Sequence, residues 1–293
     1  MPAVADAVNR LPLLKRLRHY RRHPGSFLLM LLVSLAALAT ILTLLFLILY
    51  ILIRGVPHLK LSLFAWEYNS DNVSMLPALI NTVSMTLLTL LFAVPVGVGS
   101  AIYLAEYAKR GSRLVEWIRL TTETLSGIPS IVYGLFGYLL FNVRLWGYSL
   151  LGGALTLAIM ILPLIMRTTE EALRAVPDAY REGCFGLGAG RLRTVFRVVL
   201  PSAAPGILSG VILGIGRIVG ETAALIFTAG TVSGVAEGVL APGRTLSVHM
   251  YSLLSEGFYT DEAYATAVVL LVLVALLNGA SGWIAGRIGR KYG

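Results

Sequence analysis

Six apolar runs, residues 26–53, 75–106, 126–142, 149–167, 206–228 and 263–286, constrain this chain more than any other feature. A helix needs about 20 residues to cross a bilayer, and runs near or beyond that length recur along the whole sequence. In hydrocarbon every backbone N–H and C=O must be bonded within the protein, so such runs fold as helices packed on one another. The predicted class is an all-α integral membrane protein with six transmembrane helices. The third run, "SGIPSIVYGLFGYLLFN" (Ser126–Asn142), is short and broken by Gly and Pro. Such breaks are tolerated where a helix packs on protein or lines a cavity. Only 13% of the 293 residues are charged, about half the share in a soluble domain.

A net charge of +9 suits a nucleic-acid partner, but the location of the charge argues against one. Nineteen Lys and Arg residues fall in the tail 1–25, in 107–125, in the stretch from Arg167 to 205 and in the tail 287–293. Four, Arg54, Lys60, Arg144 and Arg244, fall in the alternate segments, and Arg217 alone lies inside a run. By the positive-inside rule this asymmetry predicts cytoplasmic N- and C-termini, hence an even number of spans. The expected organisation is a basic tail (1–25), a retained first helix (26–53), an external loop (54–74), a five-helix core (75–286) and a short tail (287–293). The first run is too long for a signal-peptide core and lacks a cleavage site. A single cysteine, Cys184, allows no internal disulfide, and the histidines (His19, His23, His58 and His249) are scattered. No metal site is predicted.

Arg217 and Glu221 stand four residues apart inside "GIGRIVGETAALIFTAG". In a helix over 206–228, Arg217 would lie roughly 16 Å in, near the middle of a ~30 Å hydrocarbon core. An Arg there costs about 2.5–3.5 kcal/mol and needs a partner, water or an anion. Gly206, Gly210, Gly214, Arg217 and Glu221 fall on one helical stripe, and small residues at that spacing let a second helix approach closely. Two readings follow. The charges neutralise each other as a buried pair, or they line a pathway with Thr222, Arg217 offering its donor fork to an oxyanion.

Two further groups carry polar chemistry inside or beside spans. Ser126 and Ser130 flank Gly127 and Pro129 at the expected start of a short helix, where they serve as an N-cap or help meet an anion. Arg167, Glu170, Glu171 and Arg174 cluster where the fourth run ends, as a solvated face or an inner gate. No GxxxxGK phosphate loop and no HExxH motif occurs, so neither ATP binding of that type nor zinc hydrolysis is expected.

The stretch 168–205 reads as three helical pieces. Thr168 or Thr169 caps a segment ending at Pro177, a second piece begins near Asp178 and breaks at Gly186, Gly188 and Gly190, and a third is amphipathic. Within it, Glu182-Gly183-Cys184, three residues, Gly188, nine residues and Val198-Val199-Leu200-Pro201 resemble the E-A-A-x3-G-x9-I-x-L-P loop of ABC-importer permeases. Gly-Cys replaces Ala-Ala and Val replaces Ile, while Glu182, Gly188, Leu200 and Pro201 keep register. Together with "RTTEEALRAVP" and "GETAALIFTAG", the run Ser126–Asn142 is similar to the permeases of the phosphate-specific ABC importer, more to the A type than the C type.

The resemblance implies a MetI-like permease fold in a bacterial inner membrane and no enzyme activity of its own. It further implies that residues 182–188, Leu200 and Pro201 couple to two cytoplasmic ATPase subunits, which carry ATP and Mg. A homologous second permease and an extracytoplasmic phosphate-binding protein complete the implied assembly. Membrane lipid, and no nucleic acid, is the remaining expected partner.

Overall fold

The computed structural model describes residues 24–109 and 111–292. Most of the basic tail expected over 1–25 lies outside them, as do Arg110 and Gly293. The described residues form two compact units, one ending at Ile53 and one beginning at Arg54. The described part of the first unit is helix α1 (Pro24–Gly55) as far as Ile53, and the 32 residues of α1 include a window of mean hydropathy 2.8. At 1.5 Å per residue α1 is about 48 Å long, enough to span a bilayer.

The second unit holds α2 (Leu76–Ile102), prolonged by a π turn at Tyr103–Tyr107, and α3 (Arg113–Ser126). Next come α4 (Ser130–Gly137), prolonged by π-helical Tyr138–Trp146, then α5 (Leu150–Arg174) and α6 (Asp178–Gly186). Helix α7 (Arg191–Thr194) passes through a π turn at Val195–Val199 into α8 (Leu200–Gly220). Helices α9 (Ala223–Thr228), α10 (Leu246–Glu256) and α11 (Thr260–Tyr292) complete the chain. Residues 103–126 and 167–199 make up one end of this bundle, called here the loop end. Residues 56–75 and 229–259 make up the other, the cap end.

Helix α5 is the central element. Leu157, Ile161 and Ile165, one turn apart, are fully buried against Met85 of α2, Ile218 of α8 and Leu225 of α9. Lipid is as apolar as leucine, so close packing must hold spans together where burial from water cannot. Small residues allow it. A Cβ placed on Gly97 would stand 2.8 Å from Ile165, and one on Gly134 2.9 Å from the Cα of Ala224.

Several expectations need correction. Helix α5 does not end near 167 but runs unbroken to Arg174, so Thr168 and Thr169 are not caps. The i,i+4 ion pairs Arg167–Glu171 and Glu170–Arg174 support this continuation. The third run becomes helical only at Ser130, and residues 113–126, nearly all expected as an inside segment, form α3. Pro129 adopts an extended ψ of 142° and α3 meets α4 at 101°. Ser126 is therefore the last residue of α3 and donates to Glu123 O, while Ser130 opens α4 without a capping bond.

The fifth run is divided. Glu221 leaves helical geometry at φ −72° and ψ 130°, so α8 stops at Gly220. Its carboxylate Oε1 accepts from Ala224 N at 3.1 Å and starts α9 instead. The stretch 229–262, between the fifth and sixth runs, contains α10. Among the described residues five helices are long and apolar enough to cross a membrane: α1, α2, α5, α7–α8 and α11. The bent α3–α4 pair makes a sixth span if taken as one.

At the cap end, two buried residues of α2 hold the chain that follows α9. Asn81 Nδ2 donates to the carbonyls of Gly234 and Arg244, and its Oδ1 accepts from Ala236 N. Thr82 Oγ1 accepts from Leu246 N at 2.8 Å, which starts α10. Each replaces a water that a buried backbone group would otherwise need.

Candidate functional site: a charged cavity between α3, α5 and α8

The site begins with three glycines of α8. A Cβ on Gly206 would stand 2.7 Å from Ala172 Cβ, and one on Gly210 2.7 Å from Thr168 Cβ. A Cβ on Gly214 would meet only the Cδ1 atoms of Ile161 and Ile165, at 3.9 and 4.0 Å. The contacts climb α5 as they advance along α8, so the two helices run antiparallel in close contact. One further turn brings Arg217 level with Met160, in the middle of α5. Arg217 thus reaches mid-span depth, although it sits in the last turn of its own helix.

Beside this helix pair lies a cavity of about 350 Å³, walled by α3, α5 and α8. Arg217 and Met160 mark its deep end, and Arg119, Arg167, Glu170 and Arg174 line it toward the loop end. The charges differ in how they are satisfied. Glu170 Oε1 accepts from Nη2 of Arg119 at 2.6 Å and from Nη2 of Arg174 at 2.7 Å, with its side chain only 14% exposed. Arg167 Nε donates to Glu171 Oε1 at 3.1 Å, both side chains about two-thirds exposed, a pair worth little in water. Arg217 has no ion-pair partner among the described residues.

The cavity unites groups that the sequence kept apart. Arg217, Ser126 and the cluster Arg167, Glu170, Glu171 and Arg174 line one space. Glu221 and Thr222 do not join them. No ion pair links Glu221 to Arg217; the helix break turns Glu221 toward α9 and α10, where its carbonyl accepts from Ser247 Oγ at 2.6 Å. Ser130 also lies outside the lining. Arg119, Thr122 and Glu123 of α3 belong to the site and were not singled out from sequence. The signal was available: they share the polar face of an amphipathic helix.

At the loop end, α6 carries Glu182, Gly183 and Cys184 on a surface with Tyr180 52%, Phe185 48% and Leu187 91% exposed. Gly188 has φ +79° with open space around it, so the turn requires its left-handed backbone. Leu200 packs on the cluster that joins the ends of α2, α5 and α8. Pro201 lies within the continuous α7–α8 helix and does not start it. Its missing N–H cannot serve a carbonyl four residues back, and the π turn at Val195–Val199 falls at that place.

Arg181 fixes α6 to the bundle. It bonds Glu106 at 2.6 Å and donates to the carbonyls of Leu173 and Val176 at 2.8 Å. The bond to Glu106 raises the Arg181 pKa above its ordinary value, against the opposing effect of burial.

At the cap end His249 and Arg244 are buried, and sequence alone did not single them out. Arg244 Cζ lies 4.5 Å from the centroid of the Tyr68 ring, and that ring stands nearly perpendicular to His249 with centroids 6.1 Å apart. Burial first, and Arg244 second, push the His249 pKa down from 6.5 to about 3. Val73 beside it adopts φ +43°, a strained conformation for a β-branched residue.

The family described as "Binding-protein-dependent transport system inner membrane component" matches residues 93–292. The chain is 36% identical over 261 residues to the "Probable ABC transporter permease protein YqgI" of Bacillus subtilis, covering 83% of this chain and 88% of that one. It is 34% identical over 232 residues to the phosphate transport system permease protein PstA of Pasteurella multocida, covering 78% and 82%. Two solved transporters share the fold at low identity. One is a bacterial alginate ABC transporter, with a TM-score of 0.68, 15% identity and coverage of 93% and 98%. The other is the MetNI methionine ABC transporter, with a TM-score of 0.57, 20% identity and coverage of 72% and 93%. The matched segment takes in the whole cavity and the α6 surface, and the chain accordingly belongs to the binding-protein-dependent ABC transport permeases of the inner membrane, with their MetI-like fold.

Proposed function

We propose that this chain is an A-type permease subunit of an ATP-driven, binding-protein-dependent importer that carries inorganic phosphate into the cell. The observation that carries the reading is Arg217, a guanidinium without an ion-pair partner at the deep end of a cavity whose other arginines face carboxylates. Its planar donor fork matches an oxyanion, and a charge at that depth calls for an anion or water. The likeness to a phosphate permease over most of the chain favours phosphate.

In this reading both termini are cytoplasmic, in keeping with the distribution of Lys and Arg. A homologous C-type permease shares the pathway, and a phosphate-binding protein delivers the anion from outside. Two ATPase subunits, which hold ATP and Mg, engage α6 around Glu182–Gly188, where apolar side chains stand exposed. Ser126 lines the path beside Arg217, the Arg167–Arg174 cluster forms the inner gate, and Ser130, Glu221 and Thr222 support the path from adjoining turns.

A second reading, a permease for sulfate or molybdate, rests on the same arginine, whose fork accepts any tetrahedral oxyanion. Uptake of labelled phosphate by cells making the complete transporter, with unlabelled phosphate, sulfate or molybdate as competitors, separates the two. Phosphate alone should compete. Arg217→Ala and Arg217→Lys should both impair uptake while the complex still assembles. Normal uptake by Arg217→Ala, or uptake that persists without any ATPase subunit, would overturn the proposal.

A further inference from the structure

Helix α3 turns apolar side chains outward as well as inward, where Val115 and Ile118 pack with Leu104 and Met166. Its Arg119, Thr122, Glu123 and Ser126 line the cavity between the helices. Leu114, Trp117 and Leu120 are 58%, 68% and 57% exposed, and at 100° per residue they point away from that cavity with Thr121 and Thr124. A helix on a water-soluble domain turns polar side chains outward instead. The hydroxyls on and beside this face do not need water. Thr121, Thr122 and Thr124 donate to the carbonyls of Trp117, Ile118 and Leu120 within the helix. With 14 residues α3 is too short to cross a bilayer, and its 101° angle to α4 lays it across the direction of that span. Lys109 and Arg113, both exposed, stand at its N-terminal end.

We propose that α3 lies in the cytoplasmic leaflet, with Leu114, Trp117 and Leu120 in the acyl region and Lys109 and Arg113 on anionic lipid headgroups. A narrow apolar face beside basic residues is the pattern of an interfacial helix, and tryptophan is at home at that depth. A second permease sharing the pathway would approach from the cavity side, which this face turns away from. The lipid then supports the helix that holds Arg119 against Glu170, so the membrane helps to set the charged ring of the cavity. The proposal rests on the topology given above and not on which anion is carried.

The test uses the assembled transporter in lipid nanodiscs, with a spin label at Trp117→Cys or Leu120→Cys in a Cys184→Ser background. Collisions with oxygen, which concentrates among acyl chains, should exceed those with a water-soluble nickel chelate. A label at Thr122→Cys should show the reverse. The oxygen preference at 117 should fall severalfold when phosphatidylglycerol is omitted from phosphatidylcholine discs. It should be equally low in both discs for the Lys109→Gln/Arg113→Gln variant. Shielding from both reagents would mean that protein covers the face, and a nickel preference would mean water. Indifference to phosphatidylglycerol would remove the headgroup contact. Each of these results overturns the proposal, and none depends on phosphate uptake.

Discussion

Arg181 of α6 and Glu106 at the end of α2, 75 residues apart in sequence, meet at 2.6 Å with only 16% and 7% of their side chains exposed. The same guanidinium donates to the Leu173 carbonyl in the last turn of α5 and to that of Val176 just beyond it. One side chain therefore ties the exposed helix to two spans, and any force on α6 reaches both. Removing one partner of such a buried pair leaves a charge uncompensated, at a cost of about 3–5 kcal/mol. Arg181→Ala and Glu106→Ala should each lower the melting temperature of the purified complex and weaken co-purification of the ATPase subunits. The double variant Glu106→Leu/Arg181→Leu should be more stable than either single change, which thermal denaturation followed by size exclusion would check.

Gly210→Ala should separate α8 from α5. The added carbon would overlap the Thr168 side chain, and overpacking of this kind costs about 1–3 kcal/mol. Gly216→Ala meets nothing within 4 Å and should be neutral or slightly stabilising, since alanine favours the helix by roughly 1 kcal/mol. Comparing the thermal stability of the two variants isolates the contact from helix propensity.

Glu170 restrains two arginines at once. Glu170→Gln should leave Arg119 and Arg174 free to hold an anion in the cavity, lowering the maximal uptake rate without raising KM. Glu171→Gln breaks only an exposed pair and should leave uptake near the unmodified level. Initial-rate uptake at graded phosphate concentrations reads both parameters.

His249 makes the cap end sensitive to acid. Its folded pKa, about 3, lies below the ordinary 6.5, so the unfolded chain binds more protons between those values. The stability due to neutral His249 is complete above pH 6.5 and is lost as pH falls toward 3. At pH 5 the loss is about 2 kcal/mol. The melting temperature of the complex should drop between pH 7 and pH 5, and His249→Phe should flatten that slope.

The spans α1, α2, α5 and α11 were legible because their apolar runs depend on no other part of the chain. The glycine stripe was legible for the same reason: close approach on one helix face needs only spacing. What could not be read was the break in the fifth run. Gly220, Glu221 and Thr222 stand between two apolar stretches of helical pattern, and the extended backbone of Glu221 and the bond from Ala224 N to its carboxylate show that the helix ends there. The cavity was half legible. Arg167, Glu170 and Arg217 stood out as charges at span ends or within a span, whereas Arg119 looked like one more basic residue of an inside segment. Glu106 and Arg181 gave no local sign, because their partnership exists only after two distant stretches of chain meet at the loop end.

The π turn before Pro201 has a geometric consequence for the whole of α8. A turn of this kind is equivalent to one inserted residue, and one residue advances a helix by about 100°. The angular phase of Leu200–Gly220 is thereby offset from that of Arg191–Thr194. The loop-end piece can present Leu192 outward, while the far piece aims Gly206 and Gly210 at α5. Deleting one residue within 195–199 would rotate Arg217 away from the cavity without altering a single group that lines it.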